Sequence, residues 1–223
     1  MKKTVVAALA AVVMACGLYA QSFPAYLKMD GTILVGCDKS SLPANLVIPD
    51  GVTIIAYNTF RGCENLTSVT IPGSVMFIGG SAFANCNELT NIIIPESVRG
   101  IGNSAFENCD KLTSVTIPKS VTRIEAGAFK SCNGLTSIII SEGVREIWRG
   151  AFEDCPSLTS VTIPKSVTKI ENYAFSISIG YYNLKMVRYT GTKAQWKQIS
   201  KAEDSFSNYV IVRCSDGDIM WWE

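Results

Sequence analysis

The chain has 223 residues, of which 48% are hydrophobic and 17% charged, with a formal net charge of +1 and no histidine. That balance gives no electrostatic reason to expect a nucleic acid or an anionic membrane as the main partner. The missing histidine excludes Ser-His-Asp and Cys-His catalysis and every zinc site with a histidine ligand.

The first element in chain order, residues 1–20, has the pattern of an export signal. Lys2 and Lys3 make a basic start, and Val5 to Met14 is an uninterrupted apolar run. The run is too short for a helical membrane span, which needs about 20 residues. Cleavage after Ala20 is one reading. The other is a lipoprotein signal at Val13-Met14-Ala15-Cys16, with Cys16 as a lipid anchor and no transmembrane span. Residues 21–45 lead into an array.

The array, residues 46–183, repeats every 23 residues. LTSVTIP begins at Leu66, Leu112 and Leu158, with relatives at Leu89 and Leu135, and a partial earlier copy runs from Leu46 to Asn65. Within a unit, Val69 and Ile71 alternate with Ser68 and Thr70, a period of two in β-branched residues that predicts a short strand. Pro72 ends it. Val75 and Ile78 point inward through a second extended piece. Ala82-Phe83 then sits in a tight turn or single helical turn, and Phe83 plugs the interior. One unit cannot bury its own apolar face, but stacked units can, each position meeting its copy in the next coil. The expected fold is a β-rich, right-handed repeat solenoid of about six 23-residue coils with parallel stacked strands. After Phe175 the expected cysteine is missing, and Leu184 comes 26 residues after Leu158, as in a terminal repeat.

The copies of LTSVTIPxSVTxIxxxAFxxC resemble the BspA-like, or treponemal-type, leucine-rich repeat family of bacterial surface proteins. The resemblance implies a leucine-rich-repeat fold, a place at the cell surface, and binding to an extracellular protein of the host matrix or of another cell. It also implies caps. Asp30 to Val35 would belong to an amino-terminal one, and residues 184–223, with Val187 to Ile199 and Val212 to Asp218, would close the other end as strands.

Cys63, Cys86, Cys109, Cys132 and Cys155 form a column at the repeat spacing, with Cys37 and Cys214 in the flanks. An odd column without a Cys-x-x-Cys reads as buried free thiols, with neighbouring rungs near enough for an occasional disulfide. A metal or redox array is the functional alternative.

Exposed columns are the candidate partner surfaces. The outward strand column is Val47, Thr70, Ile93, Thr116, Ile139 and Thr162, either strand-forming residues only or a contact strip. The alternating signs of Glu96, Lys119, Glu142 and Lys165 predict ion pairs between coils, as does the Arg123, Glu146, Lys169 column. Where later coils carry charges, early ones carry Ile54, Met76 and Phe77, and Trp148 replaces a glycine or glutamate. These make an apolar patch if they face solvent, and packing if a cap covers them. Trp196, Trp221 and Trp222 are read as plugs of the carboxyl end. The sequence thus points to a secreted or surface-displayed, adhesin-like protein-binding module. A self-assembling surface-layer role is the alternative, and glycan binding the weaker one. No nucleophile elbow, phosphate loop or metal-ligand cluster suggests an enzyme or a cofactor.

Overall fold

The protein is described from a computed structural model covering residues 23–178, 183–206 and 210–223; the export signal and Cys16 lie outside the described residues. A hairpin opens the chain, β1 (Leu27–Asp30) against β2 (Ile33–Cys37), antiparallel. Each coil then adds one strand to each of two sides. In order these are β3 (Asn45–Val47), β4 (Ile54–Ile55), β5 (Ser68–Thr70), β6 (Phe77–Ile78), β7 (Asn91–Ile93) and β8 (Gly100–Ile101). The next coils give β9 (Ser114–Ile117), β10 (Arg123–Ile124), β11 (Ser137–Ile140), β12 (Glu146–Ile147), β13 (Ser160–Ile163) and β14 (Lys169–Ile170). The carboxyl flank supplies β15 (Met186–Tyr189), helix α1 (Lys193–Gln198), β16 (Ser200–Lys201), β17 (Ile211–Cys214) and β18 (Gly217–Met220).

One side is a nine-stranded sheet in the order β1-β2-β4-β6-β8-β10-β12-β14-β16, parallel from β2 onward. Pairing is in repeat register, Ile54 beside Phe77 and Phe77 beside Gly100. The opposite side is divided between a sheet β3-β5-β7 and a sheet β9-β11-β13-β15-β17-β18. The Thr90 amide bonds the Thr67 carbonyl, and the Thr136 amide the Thr113 carbonyl, but no ladder joins β7 to β9. The coils stay packed across this break, with Phe106 and Phe129 ring centroids 5.1 Å apart.

The stack is a solenoid of about eight turns, where the repeat spacing predicts about six. The flanks account for the difference. They are coils as well as covers, since β2 pairs in parallel with β4, and β15 with β13. The carboxyl flank also holds a helix where only strands are expected. Thr192 and Gln195 begin it with a reciprocal capping box, which satisfies two amides that a helix start leaves without partners.

The repeat positions now have physical roles. Phe60, Phe83, Phe106, Phe129, Phe152, Phe175 and Phe206 stack in one continuous column, centroids 4.9–5.5 Å apart. The Val75 amide donates to the Pro72 carbonyl at 3.1 Å, closing the turn that the proline starts. Threonine hydroxyls of the repeated Leu-Thr pair donate to the coil before, Thr90 to Thr67 at 3.1 Å and Thr136 to Thr113 at 3.0 Å. Two corners per coil have a left-handed backbone, and Asn85, Asn108, Ser104 and Asp154 are among the residues there. Short polar side chains tolerate that region better than most.

The column cysteines are buried free thiols. Cys86, Cys109, Cys132 and Cys155 donate to the carbonyls of Phe60, Phe83, Phe106 and Phe129 at 3.1–3.3 Å. Burial pushes the Cys86 thiol up to about 12 and Cys109 well above the ordinary range. Because all four are buried and a thiol reagent must wait for the coils to open, they should label at least about a hundredfold more slowly in the native protein than after unfolding. Native labelling that keeps pace with the unfolded chain would remove them from the interior.

Candidate functional site

The candidates from the sequence fall on opposite sides of the solenoid. Thr70, Ile93, Thr116, Ile139 and Thr162 point outward from the divided side, Ile93 72% and Ile139 54% exposed. They do not form one continuous strip, because the break between β7 and β9 falls between Ile93 and Thr116. Met76 and Phe77 face solvent on the nine-stranded side, with Phe77 45% exposed, so no cap covers them. Ile54 is half-buried beside Phe77, and Trp148 is half-buried further along the same side.

Next to Phe77 the surface sinks into an open trough of about 510 Å³, lined by Phe77, Arg99, Gly100, Gly102, Arg123 and Glu125 among others. Its floor is glycine because the neighbours come close. A Cβ on Gly100 would lie 3.1 Å from Cδ1 of Phe77, and one on Gly102 would lie 2.5 Å from the Gly80 amide nitrogen. The Phe77 ring therefore lies over the glycine of the next coil. Later coils carry Arg123, Glu125 and Trp148 at the matching positions and have no such floor. Tyr57, 65% exposed, lies against Gly80 next to the trough, a Cβ there being 3.3 Å from its ring. The sequence reading missed Tyr57, Arg99 and the trough itself. Gly79, Gly100 and Gly102, standing where later coils have charged or aromatic residues, were the signal for it.

Toward the carboxyl end of this side Arg123 and Lys169 are paired within their own coils, while Arg145 is exposed and in none of the ion pairs among the described residues. Arg123 Nε lies 2.7 Å from Glu125 and its guanidinium 4.5 Å over the Trp148 ring, whose Nε1 donates to Glu146 at 2.8 Å. Lys169 is 2.7 Å from Glu171, which raises its pKa. The Trp148 face under Arg123 is thus not open to a sugar ring. Toward the amino end, Arg99 is exposed beside Met76, and none of the ion pairs among the described residues uses it.

The expected column pairs do not form. Arg123 and Lys169 bind carboxylates two residues on in their own coils, because positions two apart on a strand share a face and are already in reach. In the Glu96 to Lys165 column, Glu142 accepts the Thr190 hydroxyl at 3.0 Å instead of a lysine. Pairs between coils occur elsewhere, Lys111 with Glu88 and Lys130 with Glu153. Exposed pairs of this kind contribute about 0–1 kcal/mol each.

The BspA type Leucine rich repeat region matches the chain in six copies over residues 53–182, more than half its length. The chain belongs to the BspA-type leucine-rich repeat family. A solved leucine rich repeat protein of T. pallidum is similar to this BspA-type chain at 29% identity and a TM-score of 0.63, over 76% of this chain and 86% of its own. One from Bacteroides ovatus is similar at 25% identity and a TM-score of 0.57, over 78% of this chain and 48% of its own. The likeness to a Eubacterium ventriosum repeat protein, at 24% identity and a TM-score of 0.62, over 85% of this chain and 51% of its own, shows the fold alone. A comparison with curated proteins finds no match. BspA-type repeat proteins are typically surface or secreted bacterial proteins. Among the described residues no helix is long and apolar enough to cross a membrane.

Proposed function

We propose that this BspA-type chain is a secreted or surface-displayed, adhesin-like module that binds an extracellular protein, of the host matrix or of another cell, at the glycine-floored trough. Residues 1–20 direct export, with or without a lipid anchor at Cys16. The observation that carries the reading is the contrast along the nine-stranded side. Met76, Phe77 and Tyr57 stand in solvent near the glycine floor, with Arg99 exposed and in none of the ion pairs among the described residues, whereas further along, at the position matching Phe77, Arg123 is paired with Glu125 and lies over Trp148. Exposed aromatics, methionine and arginine are the residue types that anchor protein interfaces. The fitting partner is a protein segment with an apolar side chain for the trough and a carboxylate for Arg99. The opposite column of Thr70, Ile93, Thr116, Ile139 and Thr162, together with Ile54 and Trp148, is then supporting surface.

The test begins with capture of partners from matrix and cell-surface extracts and measurement of their affinity. The double variant Met76→Ala/Phe77→Ala should weaken binding by about 30-fold or more, the effect of losing a central anchor of about 2 kcal/mol. Its circular dichroism should be unchanged. Arg99→Glu should slow association and make it less sensitive to salt. Variants Thr116→Ala and Ile139→Thr should bind as the parent does. Loss of binding in these two with retention in the double variant would move the site to the other side.

A further inference from the structure

We propose that Cys37 and Cys63 form a thiol pair that is oxidised by a low-molecular-weight disulfide, with capture at Cys37 and resolution by Cys63, stapling the amino-terminal hairpin to the first coil. This is a modification site, independent of which surface binds a partner.

The pair arises from a mismatch in the repeat register. Each column cysteine meets the residue 26 positions earlier. For Cys86, Cys109, Cys132 and Cys155 that residue is a phenylalanine, whose carbonyl accepts the thiol. For Cys63 it is Cys37, the last residue of β2, and the two sulfurs lie 3.6 Å apart. Closing to a disulfide of about 2.05 Å takes a sulfur shift of roughly 1.5 Å, within reach of side-chain rotation.

The two sulfurs also differ as an attacking and a resolving thiol should. Cys37 is half-buried and Cys63 buried. The hydrogen bond between the two sulfurs holds the Cys37 pKa below the ordinary thiol range, and Lys39 and Lys28 add to this. Contact with Cys37, and then burial, pushes Cys63 up. An accessible, low-pKa thiol beside a second cysteine is the arrangement found in redox-sensitive sites.

The steps balance with a disulfide RSSR, such as oxidised glutathione. The Cys37 thiolate attacks one sulfur, forming Cys37–S–SR and releasing RS⁻, which takes the proton that Cys37 gave up. With no thiolate left beside it, Cys63 ionises and attacks the Cys37 sulfur. A second RS⁻ leaves and takes the Cys63 proton. Two protein thiols become one disulfide, and RSSR becomes two RSH.

The test incubates the native full chain with oxidised glutathione, blocks remaining thiols, and maps peptides by mass spectrometry without reduction. Cleavage after Glu64 as well as at lysine and arginine separates Cys63 from Cys86. The expected product is a Cys37–Cys63 linked peptide lighter by two hydrogens, formed while the other column thiols stay unlabelled until unfolding. Cys63→Ser should halt at glutathione on Cys37, and Cys37→Ser should give neither product. Parent protein that keeps both thiols free, stops at the mixed disulfide, or links a different pair overturns the proposal, whatever the folding of the variants.

Discussion

Phe129→Ala should lower the stability of the whole solenoid by about 3–5 kcal/mol, the cost of removing a fully buried phenylalanine and leaving its cavity. For a chain of this size that is a fall in melting temperature of roughly 6–20 °C. Phe129 has no exposed surface and is stacked between Phe106 at 5.1 Å and Phe152 at 5.5 Å. Its loss therefore weakens two interfaces between coils at once. Coils touch only their neighbours, so a defect in the middle divides the array into two shorter arrays. Calorimetry should show a broader transition as well as a lower one. Hydrogen exchange should lose protection first around Ile124 and its partners Ile101 and Ile147. A loss under about 1 kcal/mol would mean that the phenylalanine column is not what holds neighbouring coils together.

Trp196→Ala should remove a similar amount of packing, about 3–5 kcal/mol, but its effect should stay at the carboxyl end. Trp196 is fully buried on α1. Its ring meets Tyr189 edge-on at 5.2 Å and Phe206 at 6.2 Å, and its Nε1 donates to the Trp221 carbonyl at 3.2 Å. The Lys201 ammonium sits 4.9 Å over the same ring and bonds the Trp196 carbonyl, while burial holds its pKa down. Without the indole these groups lose a common partner, and β16 and the β17–β18 hairpin should open. An opened sheet edge templates association. Exchange protection should fall over residues 186–223 while the middle coils keep theirs, and larger species should appear on size exclusion at high concentration. Trp196→Phe should restore most of the protection. Uniform loss along the array would show instead that the end is coupled to all coils.

Most of the fold was legible in the sequence, but whether Met76 and Phe77 face solvent or lie under a cap was left open by it, because the repeat does not fix which residues between Val75 and Ile78 point out. The surface could be read only by contrast with later coils, and its shape could not. The trough depends on Gly102 approaching the Gly80 backbone and on the Phe77 ring lying over Gly100, contacts between unlike residues of adjacent coils. The ion pairs were misjudged for a related reason. A column shows which charges are stacked, but a carboxylate two residues away in the same coil competes for the same cation.

By itself the sequence determined the period, the inward positions, the phenylalanine plug and the buried thiols of this protein. It could do so because in a stacked array each residue meets its own copy, so that one unit specifies the interface everywhere. Tertiary structure alone decided where the periodicity fails. It continued the coils into both flanks, brought Phe206 onto the end of the phenylalanine column, divided one side between β7 and β9, and placed Cys37 against Cys63. At those places a residue meets a partner that is not its copy, and no repeat spacing records such a meeting.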